Sequence, residues 1–563
     1  MLPPVEKAAL QAAAVIGRVF WRGPVRELLA GEAPDFAVLE ARDFIRRRSG
    51  SALAGEREFA FKHALTREVA YAGLPKARRA RLHAAFADWL ERFAEGRDEQ
   101  ASFLAHHYAE AVRPEGAELA WKGQAEELER LRARAVFWLE RAAQLAVARY
   151  ELDEAIVLYE RALALVGPAE LRVELWRGLG RANALKYDGE GLWHAMRNAI
   201  ELCDDAQTQA ELYSELAHET ATRSGMWRRM PDYPMVDEWI ETALRLAPPD
   251  SAARTRALIA KGFWNPFEGS GDAREASLLA ERLGDVELRS QAWDVRGIAE
   301  FVAGRYELGR AFAERRFELL DQISDPDHRA EIYSAPISGC VWSGHFAEAR
   351  RLALLHDETT APLTPHHRLH GVAILAEVEE LLGAWERIEA LGPRTEATVA
   401  ANAETPCVRN ARSLLVCAAA SAHLGDQAAA RRFEETAESL GIEGYGVVLD
   451  IPRMQVALAR GDLDAVSRLL EAPLPQRGWY RGWMALATIV TRLDGLAAVG
   501  DRAAAEEEAS AHLRPNTYLA PFALRTLGVV REDPELVARA LAGFEELGLA
   551  WHAERTRALG YSP

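Results

Sequence analysis

The stretch Gly425-Asp-Gln-Ala-Ala-Ala430, followed by Ala437, decides the fold because its pattern recurs along the chain. Each copy starts with a glycine or turn residue, has an aromatic or small residue two positions later, and has a small residue five positions after the start. Copies start at Tyr150, Gly271, Gly304, Gly344 and Gly500, with weaker copies near Asp188, Gly225, Gly383 and Gly461. The starts are roughly 35–45 residues apart, and apolar residues at helical spacing precede each one, so the unit is a pair of helices.

Helix pairs that repeat in this way stack into an α-solenoid, in which each pair buries its apolar face against its neighbours. We therefore predict an all-α fold, with a right-handed superhelix of helix pairs over residues 96–563. Such arrays bind and position other molecules, and the concave surface is the expected binding face.

The first 95 residues follow a different pattern. Their predicted elements are helices over 6–16, 24–29 and 36–47, a turn over 49–55, a strand over 56–61, and helices over 63–73 and 75–93. Three helices followed by a small β wing predict a winged-helix domain with linking helices over residues 1–95.

The composition is that of a folded protein, with 49 % hydrophobic and 27 % charged residues. No apolar run has the length of a membrane span, and the N-terminus lacks the basic and apolar segments of a secretory signal. We therefore expect a cytoplasmic protein. Arginine far outnumbers lysine, which is typical of GC-rich bacterial genomes.

The net charge of −17 is distributed unevenly. Residues 1–95 carry 16 Lys and Arg against 12 Asp and Glu, a net charge of +4, and the remainder carries −21. The acidic array is a poor partner for nucleic acid, so any DNA contact would come from the first 95 residues. The candidate DNA-binding residues cluster at the end of the predicted third helix and are Arg42, Arg46, Arg47 and Arg48.

Two stretches carry a resemblance to a known family, Leu10-Gln-Ala-Ala-Ala-Val-Ile-Gly-Arg-Val-Phe-Trp21 and Phe59-Ala-Phe-Lys-His-Ala-Leu-Thr-Arg-Glu-Val-Ala-Tyr71. They resemble the segment that follows the ATPase module in bacterial STAND-type signalling proteins. The helix pairs resemble the tetratricopeptide repeat (TPR) arrays of the same proteins. These include proteins fused to class III adenylate/guanylate cyclase domains and MalT-like regulators.

The resemblance implies a TPR-like solenoid that senses a protein, a peptide or a small effector, with a nucleotide switch upstream of the winged helix. The chain begins where the ATPase would end, so we expect either a truncated gene product or a stand-alone sensor. One alternative is a transcriptional regulator that contacts DNA through its winged helix. Another is the regulatory fragment of an ATPase or nucleotide cyclase whose catalytic domains lie upstream.

The sequence lacks the common catalytic motifs. None of the six lysines follows a glycine and precedes Ser or Thr, so there is no P-loop, and neither HExxH nor GxSxG occurs. The four cysteines form no CxxC pair, which argues against a disulfide framework and a zinc site. We therefore expect a binding module without enzymatic activity, cofactor or metal.

Three histidines in one predicted helix are a candidate for metal binding, because His366 and His370 are one helical turn apart. A third ligand is not evident on the neighbouring turn beside His367, so we interpret these histidines as structural. We interpret His106 and His107 in the same way.

Aromatic and arginine residues in the irregular connections are the candidate partner-binding residues, because these types dominate interface hot spots. The candidates are Trp227, Arg228, Tyr233, Trp264, Arg477, Trp479, Tyr480 and Trp483. The alternative is that their rings fill gaps between irregularly stacked repeats.

Overall fold

The computed structural model describes residues 2–53, 55–94, 98–266, 270–472, 474 and 482–560. Helices account for 76 % of the chain and the strands form one small sheet, so the all-α prediction is confirmed. The chain divides into two compact units, residues 1–183 with 197–202 and residues 184–196 with 203–563. The predicted domain boundary between residues 95 and 96 lies inside the first unit and stays a prediction.

The first unit contains a small sheet and ten helices within its described residues. Its elements are α1 (Pro4–Ile16), β1 (Val19–Trp21), α2 (Arg22–Leu28), α3 (Phe36–Ala41), β2 (Ile45–Arg47), β3 (Glu58–Phe61), α4 (Ala64–Ala72), α5 (Lys76–Ala94), α6 (Ala101–Ala111), α7 (Pro114–Ala120), α8 (Ala125–Ala148), α9 (Leu152–Leu165) and α10 (Ala169–Leu185). A 3₁₀ helix at Asp98–Gln100 precedes α6. Helix α10 ends two residues into the second unit, and α11 (Gly189–Leu202) contributes residues to both units.

The three strands pair antiparallel in the order β1-β3-β2. The rings of Phe20, Phe36 and Phe59 stack at the sheet, with centroids 5.0–5.9 Å apart, and fix the sheet against the short helices. The predicted third helix over 36–47 is wrong in its second half, because α3 ends at Ala41 and Ile45–Arg47 is a strand. Asp43 adopts a left-handed φ of 60° between the two elements, which a continuous helix does not allow.

The second unit is built from helices. They are α12 (Ala206–Thr222), α13 (Tyr233–Leu246), α14 (Ala252–Trp264), α15 (Ser270–Leu283), α16 (Val286–Val302), α17 (Tyr306–Arg315), α18 (Pro326–Glu331), α19 (Ser334–Trp342), α20 (Phe346–Thr360), α21 (Pro365–Leu382), α22 (Trp385–Ala401), α23 (Val408–His423), α24 (Gln427–Ser439), α25 (Val447–Arg460), α26 (Leu463–Leu470), α27 (Gly482–Val499), α28 (Arg502–Ser510), α29 (Ala520–Arg531), α30 (Pro534–Glu546) and α31 (Ala550–Arg557). Two 3₁₀ helices, Ser224–Met226 and Arg316–Gln322, lie among them. Among the described residues of the whole chain, no helix combines the length and the apolar content that a membrane crossing needs.

The recurring glycine and alanine positions explain the helix pairs. The glycine takes a left-handed φ in the turn between the two helices, at 76° in Gly344 and 91° in Gly425, which costs an L side chain free energy. The small residue five positions later is fully buried, as in Ala349 and Ala430, and lets the second helix approach its neighbours closely. Each first helix, such as α23, packs both on its partner α24 and on α25 of the next pair. The predicted TPR-like repeat is therefore confirmed at the level of the helix pair.

Candidate functional site

The second unit contains a cavity of about 510 Å³. Helices α12, α16, α17, α19, α21, α23, α25 and α27 contribute to its wall. One part of the wall is apolar and aromatic, with Ile298, Phe301, Val448, and Tyr306 stacked on Trp342 at a centroid distance of 4.6 Å. Pockets for small organic ligands have volumes of about 300–1,000 Å³ and combine apolar walls with a few polar groups, so this cavity fits that class.

Charged side chains form the other part of the cavity wall, and more of them are arginines than carboxylates. They are Arg223, Arg409, Arg412, Arg514, Asp294 and Glu331. Further carboxylates lie behind the wall and hold three of these arginines in buried ion pairs. The polar side of the cavity is therefore held in a defined geometry before any ligand binds.

Arg223 lies where three carboxylates converge. Its guanidinium bonds to Asp327 at 2.9 Å and to Asp325 at 3.0 Å, and it also pairs with Glu219 one turn earlier in α12. Asp327 accepts two further hydrogen bonds, from the Tyr187 hydroxyl and from Nε2 of His367, each at 3.1 Å. Four separate segments of the second unit are thus joined at one buried point.

The Arg223 charge decides the ionisation of its neighbours. Burial alone would raise the pKa of Glu219, but the adjacent guanidinium outweighs burial and lowers that pKa to about 2. Burial likewise acts to raise the pKa of Asp327, and Arg223 together with His367 holds it well below its usual range. Both carboxylates are therefore ionised at neutral pH, as partners of a buried cation should be.

Two further ion pairs connect successive repeats. Arg409 bonds to Glu377 at 3.2 and 3.3 Å, and Arg412 bonds to Glu380 at 2.7 and 3.1 Å. Glu377 and Glu380 are one turn apart on α21, and the arginines have the same spacing on α23. Two buried pairs in register fix the rotation of one helix against the other, because each charge would be costly to bury alone.

An imidazole and thiol cluster lies beside these ion pairs. Nε2 of His370 is 3.5 Å from Sγ of Cys407, and the ring centroids of His366 and His370 are 4.2 Å apart. Burial lowers the pKa of both imidazoles well below the usual histidine value, so they are neutral at pH 7. Burial also raises the pKa of the Cys407 thiol to about 11. Two imidazoles and one thiol have the chemistry to hold a metal.

Four of the predicted partner-binding residues lie before α13, at its start and at the end of α14, and they have different environments. The Trp227 ring is buried, and the Trp227 carbonyl accepts a hydrogen bond of 2.5 Å from the Tyr445 hydroxyl. Trp264 is also buried, whereas Tyr233 is 37 % exposed and packs on the Trp264 ring. Arg228 is exposed. Trp227 and Trp264 thus lie in the core, and a role of Arg228 and Tyr233 in partner binding stays a prediction.

The remaining predicted partner-binding residues are Arg477, Trp479, Tyr480 and Trp483. Arg477, Trp479 and Tyr480 lie outside the described residues, and Trp483 falls in the first turn of α27 with its side chain outside the described part. A role of this group in partner binding stays a prediction.

The candidate DNA-binding arginines lie on and around strand β2. Arg46 and Arg47 belong to the strand, both are exposed, and Arg48 pairs with Glu58 at 3.0 Å. Arg42 precedes the strand and is also exposed. The sequence predicts that all four arginines lie at the end of a helix. Arg42 does cap the C-terminal end of α3, but Arg46 and Arg47 lie on an edge strand and Arg48 directly follows it.

A second group of histidines occurs in the first unit. Nδ1 of His83 bonds to Nδ1 of His107 at 2.9 Å, and Nε2 of His83 bonds to the Tyr71 hydroxyl at 3.1 Å. The rings pack among Phe86 and Phe103. Both nitrogens of His83 are therefore used in hydrogen bonds that join α4, α5 and α6.

Sequence reasoning missed most of the residues that form this site. It named His366, His367 and His370 but not Arg223, Asp327 or Cys407. Two ion pairs of this site could have been predicted from the sequence, those of Glu377 and Glu380 with Arg409 and Arg412. Opposite charges with matching spacing, 32 residues apart, are about one repeat from each other and predict ion pairs between neighbouring repeats.

The helix pairs and the cavity define a helical-repeat protein with a ligand-sized internal site. No protein-family model matches the sequence, and no curated protein matches it.

Solved structures of helical arrays match at low identity. A Signal Transduction ATPase with Numerous Domains (STAND) protein with a tetratricopeptide repeat sensor from Pyrococcus horikoshii is 13 % identical, with a TM-score of 0.39 over 79 % of this chain. This chain covers 63 % of that protein's length. The APC/C heterotetramer Cut9–Hcn1 is 13 % identical with a TM-score of 0.32, over 85 % of this chain and 93 % of that chain.

Proposed function

We propose that this chain is a non-catalytic sensing and docking module whose effector is a small organic molecule bound in the cavity of the second unit. The observation that carries the proposal is the cavity itself, which joins an aromatic wall to a row of pre-positioned arginines. An effector with an apolar or aromatic body and a polar end would match both sides. The sequence equally predicts that a peptide or protein docks on the concave surface. The experiment below distinguishes this docking from binding of a small molecule in the cavity.

The chemistry of the cavity supports binding more than catalysis. Asp294 on the cavity wall pairs with Arg316 at 2.8 Å, and behind the wall Asp327, Glu377 and Glu380 are each engaged by an arginine. These carboxylates position cations and are poorly suited to move protons. The Cys407 thiol, with its pKa raised to about 11, is a weak nucleophile at neutral pH. The groups are arranged as a fixed recognition surface.

The signalling context of the proposal comes from the resemblance of residues 10–21 and 59–71 to STAND-type proteins. In a longer parent, the module would bias an ATPase or nucleotide cyclase switch by binding its effector more tightly in one of two states. Repeats that contact mainly their neighbours transmit such a bias through small rotations of successive helix pairs. The catalytic activity would belong to the parent and not to this chain.

Filling the cavity tests the effector proposal. Ala335 lines the cavity on α19, and Ala335→Trp should lower the affinity for any cavity ligand at least about tenfold, because the new ring occupies the ligand's volume. The measurement is a thermal-shift screen of the purified chain against a metabolite library, followed by calorimetry on each compound that stabilises it.

The matched control is Ala361→Trp, which adds the same ring at an exposed position of the same unit. The control should keep wild-type affinity. If ligands bind Ala335→Trp and Ala361→Trp equally well, they do not use the cavity. If both variants instead capture a peptide or protein equally well, the partner docks on the concave surface and does not bind in the cavity.

The arrangement of the N-terminal elements favours DNA binding as a second candidate function. The order α1-β1-α2-α3-β2-β3, with the sheet order β1-β3-β2, is compatible with a winged helix, and Arg46 and Arg47 are exposed on its outer strand. Arg46→Ala/Arg47→Ala should then reduce the slope of log affinity against log salt by about 2, since each phosphate contact contributes about 0.9. Fluorescence anisotropy of the full chain on duplex DNA at several salt concentrations measures this slope. Absence of binding at low salt would remove this candidate.

A further inference from the structure

His366, His370 and Cys407 form the cluster from which we draw a new inference. The two imidazoles are one turn apart at the start of α21, where Thr364 caps the helix and fixes its first turn. Cys407 comes from the next repeat, directly before α23. His366, His370 and Cys407 are 4 %, 6 % and 1 % exposed, respectively, so the cluster lies in the protein interior.

The spacing of the three donor atoms is close to that of a metal site. One nitrogen from each imidazole and Sγ of Cys407 all lie within 4.8 Å of one another. A tetrahedral zinc ion, with bonds of about 2.0 Å to nitrogen and about 2.3 Å to sulfur, places its ligand atoms about 3.3–3.5 Å apart. The His370 and Cys407 atoms are already 3.5 Å apart, and the His366 nitrogen lies within 4.8 Å of both, so a bound ion requires it to move by at most about 1.5 Å.

The His366 imidazole is buried with its ring nitrogens unpartnered among the described residues. Within the described part of the chain, neither Nδ1 nor Nε2 of His366 has a hydrogen-bond partner, although both are buried. Tyr187 stacks on this imidazole with ring centroids 3.6 Å apart and holds it in place. A buried polar atom without a partner costs free energy, and coordination of a metal would satisfy one of the two nitrogens.

The surroundings provide the charges that a metal site needs. Oε1 of Glu331 is 3.7 Å from Nδ1 of His370, where a carboxylate can orient a ligating imidazole. Nη1 of Arg409 donates a hydrogen bond of 3.2 Å to the same nitrogen, and Arg409 is itself held by Glu377. Because a guanidinium only donates, this bond keeps the His370 proton on Nε2. Ligation through Nε2 therefore requires the proton to move to Nδ1, which then donates to Glu331 and no longer accepts from Arg409. The guanidinium favours the thiolate form of Cys407, and Glu331 with Asp327 offsets the charge of the cation.

We propose that His366, His370 and Cys407 bind one borderline transition-metal ion of the zinc class, with its fourth coordination position open to the cavity. His370 and Cys407 both line the cavity, so the fourth position is accessible to water or to a donor atom of a cavity ligand. Binding converts the thiol to a thiolate and releases one proton to solvent. Two nitrogens and one sulfur select zinc or a similar ion over magnesium or calcium, which prefer oxygen.

Cobalt(II) titration of the metal-free 563-residue chain tests the proposal, because Co²⁺ replaces Zn²⁺ and reports thiolate ligation by a near-ultraviolet charge-transfer band. We expect a saturable band, its displacement by Zn²⁺, and its loss in Cys407→Ser together with a Zn²⁺ affinity more than about 100-fold weaker. Cys417→Ser is the matched control, because Cys417 is also buried in α23 and should leave the band unchanged.

Two further measurements cover a Cys407 variant that fails to fold. His366→Gln removes a ligand that has no hydrogen-bond partner among the described residues, and it should weaken Zn²⁺ binding while circular dichroism stays unchanged. In the unaltered protein, Zn²⁺ should slow alkylation of Cys407, mapped by mass spectrometry, and leave Cys417 unaffected. Cobalt binding without the thiolate band, or a band that survives in Cys407→Ser, overturns the proposal.

Discussion

Replacing Arg223 with methionine should lower the free energy of unfolding by about 3–5 kcal/mol, which is the usual cost of removing one partner from a buried ion pair. The substitution keeps the apolar stem but leaves the carboxylates of Glu219, Asp325 and Asp327 next to one another without their cation. Their mutual repulsion adds to the cost of burying each charge. Urea denaturation followed by circular dichroism and by tryptophan fluorescence measures the effect.

Two further variants test whether the loss of the charge, and not the change of side chain, destabilises Arg223→Met. Arg228→Met makes the same replacement at an exposed position five residues later and should change the free energy of unfolding by less than about 1 kcal/mol. Adding Glu219→Gln to Arg223→Met should recover about 1–3 kcal/mol, because one of the unpaired charges is then gone. A loss below about 1 kcal/mol in Arg223→Met would mean that the cluster is solvated and does not hold the second unit together.

The helix pairs could be predicted from the sequence because residues within a single turn determine them. A glycine that needs a left-handed φ and an alanine that permits close packing are requirements of one turn, so Gly344 and Ala349 show the helix pair without knowledge of the rest of the chain. Strands β1 and β2 are three residues each, and their pairing with β3 depends on residues as far away as Val19 and Ala60. Patterns over three residues cannot indicate such long-range pairing.

The candidate site was predicted poorly for a related reason. His367 and Asp327 are 40 residues apart, and Arg223 and Asp327 are 104 residues apart, so their meeting depends on how successive helix pairs stack. Trp227 and Trp264 illustrate a different limit. The same aromatic residue types fill protein cores and anchor binding partners, so the sequence does not distinguish the two roles. The burial of the ring in the structure does.

A second buried cluster joins three helices at the C-terminal end of the chain. Asp494 on α27 accepts hydrogen bonds of 2.6 Å from Arg525 on α29 and from Arg555 on α31. The Arg525 guanidinium also lies over the Phe544 ring, 4.8 Å from its centroid. Asp494→Asn should therefore cost about 3–5 kcal/mol, because two neighbouring guanidinium groups lose their shared counter-charge. Exposed Asp464 provides the control, Asp464→Asn, for which we expect less than about 1 kcal/mol.

The same cluster predicts a pH dependence with a definite sign. Burial acts to raise the pKa of Asp494, but Arg525 and Arg555 outweigh it and lower the pKa from 3.8 to about 2. A carboxylate with a lowered pKa stabilises the folded state above its unfolded pKa, and this contribution disappears as the pH falls through the folded-state pKa. The difference in stability between wild type and Asp494→Asn should be constant above about pH 5 and about 1 kcal/mol smaller at pH 3. Hydrogen exchange of α27, α29 and α31 at several pH values measures it, and a difference that stays constant down to pH 3 would show that the ion pairs do not lower this pKa.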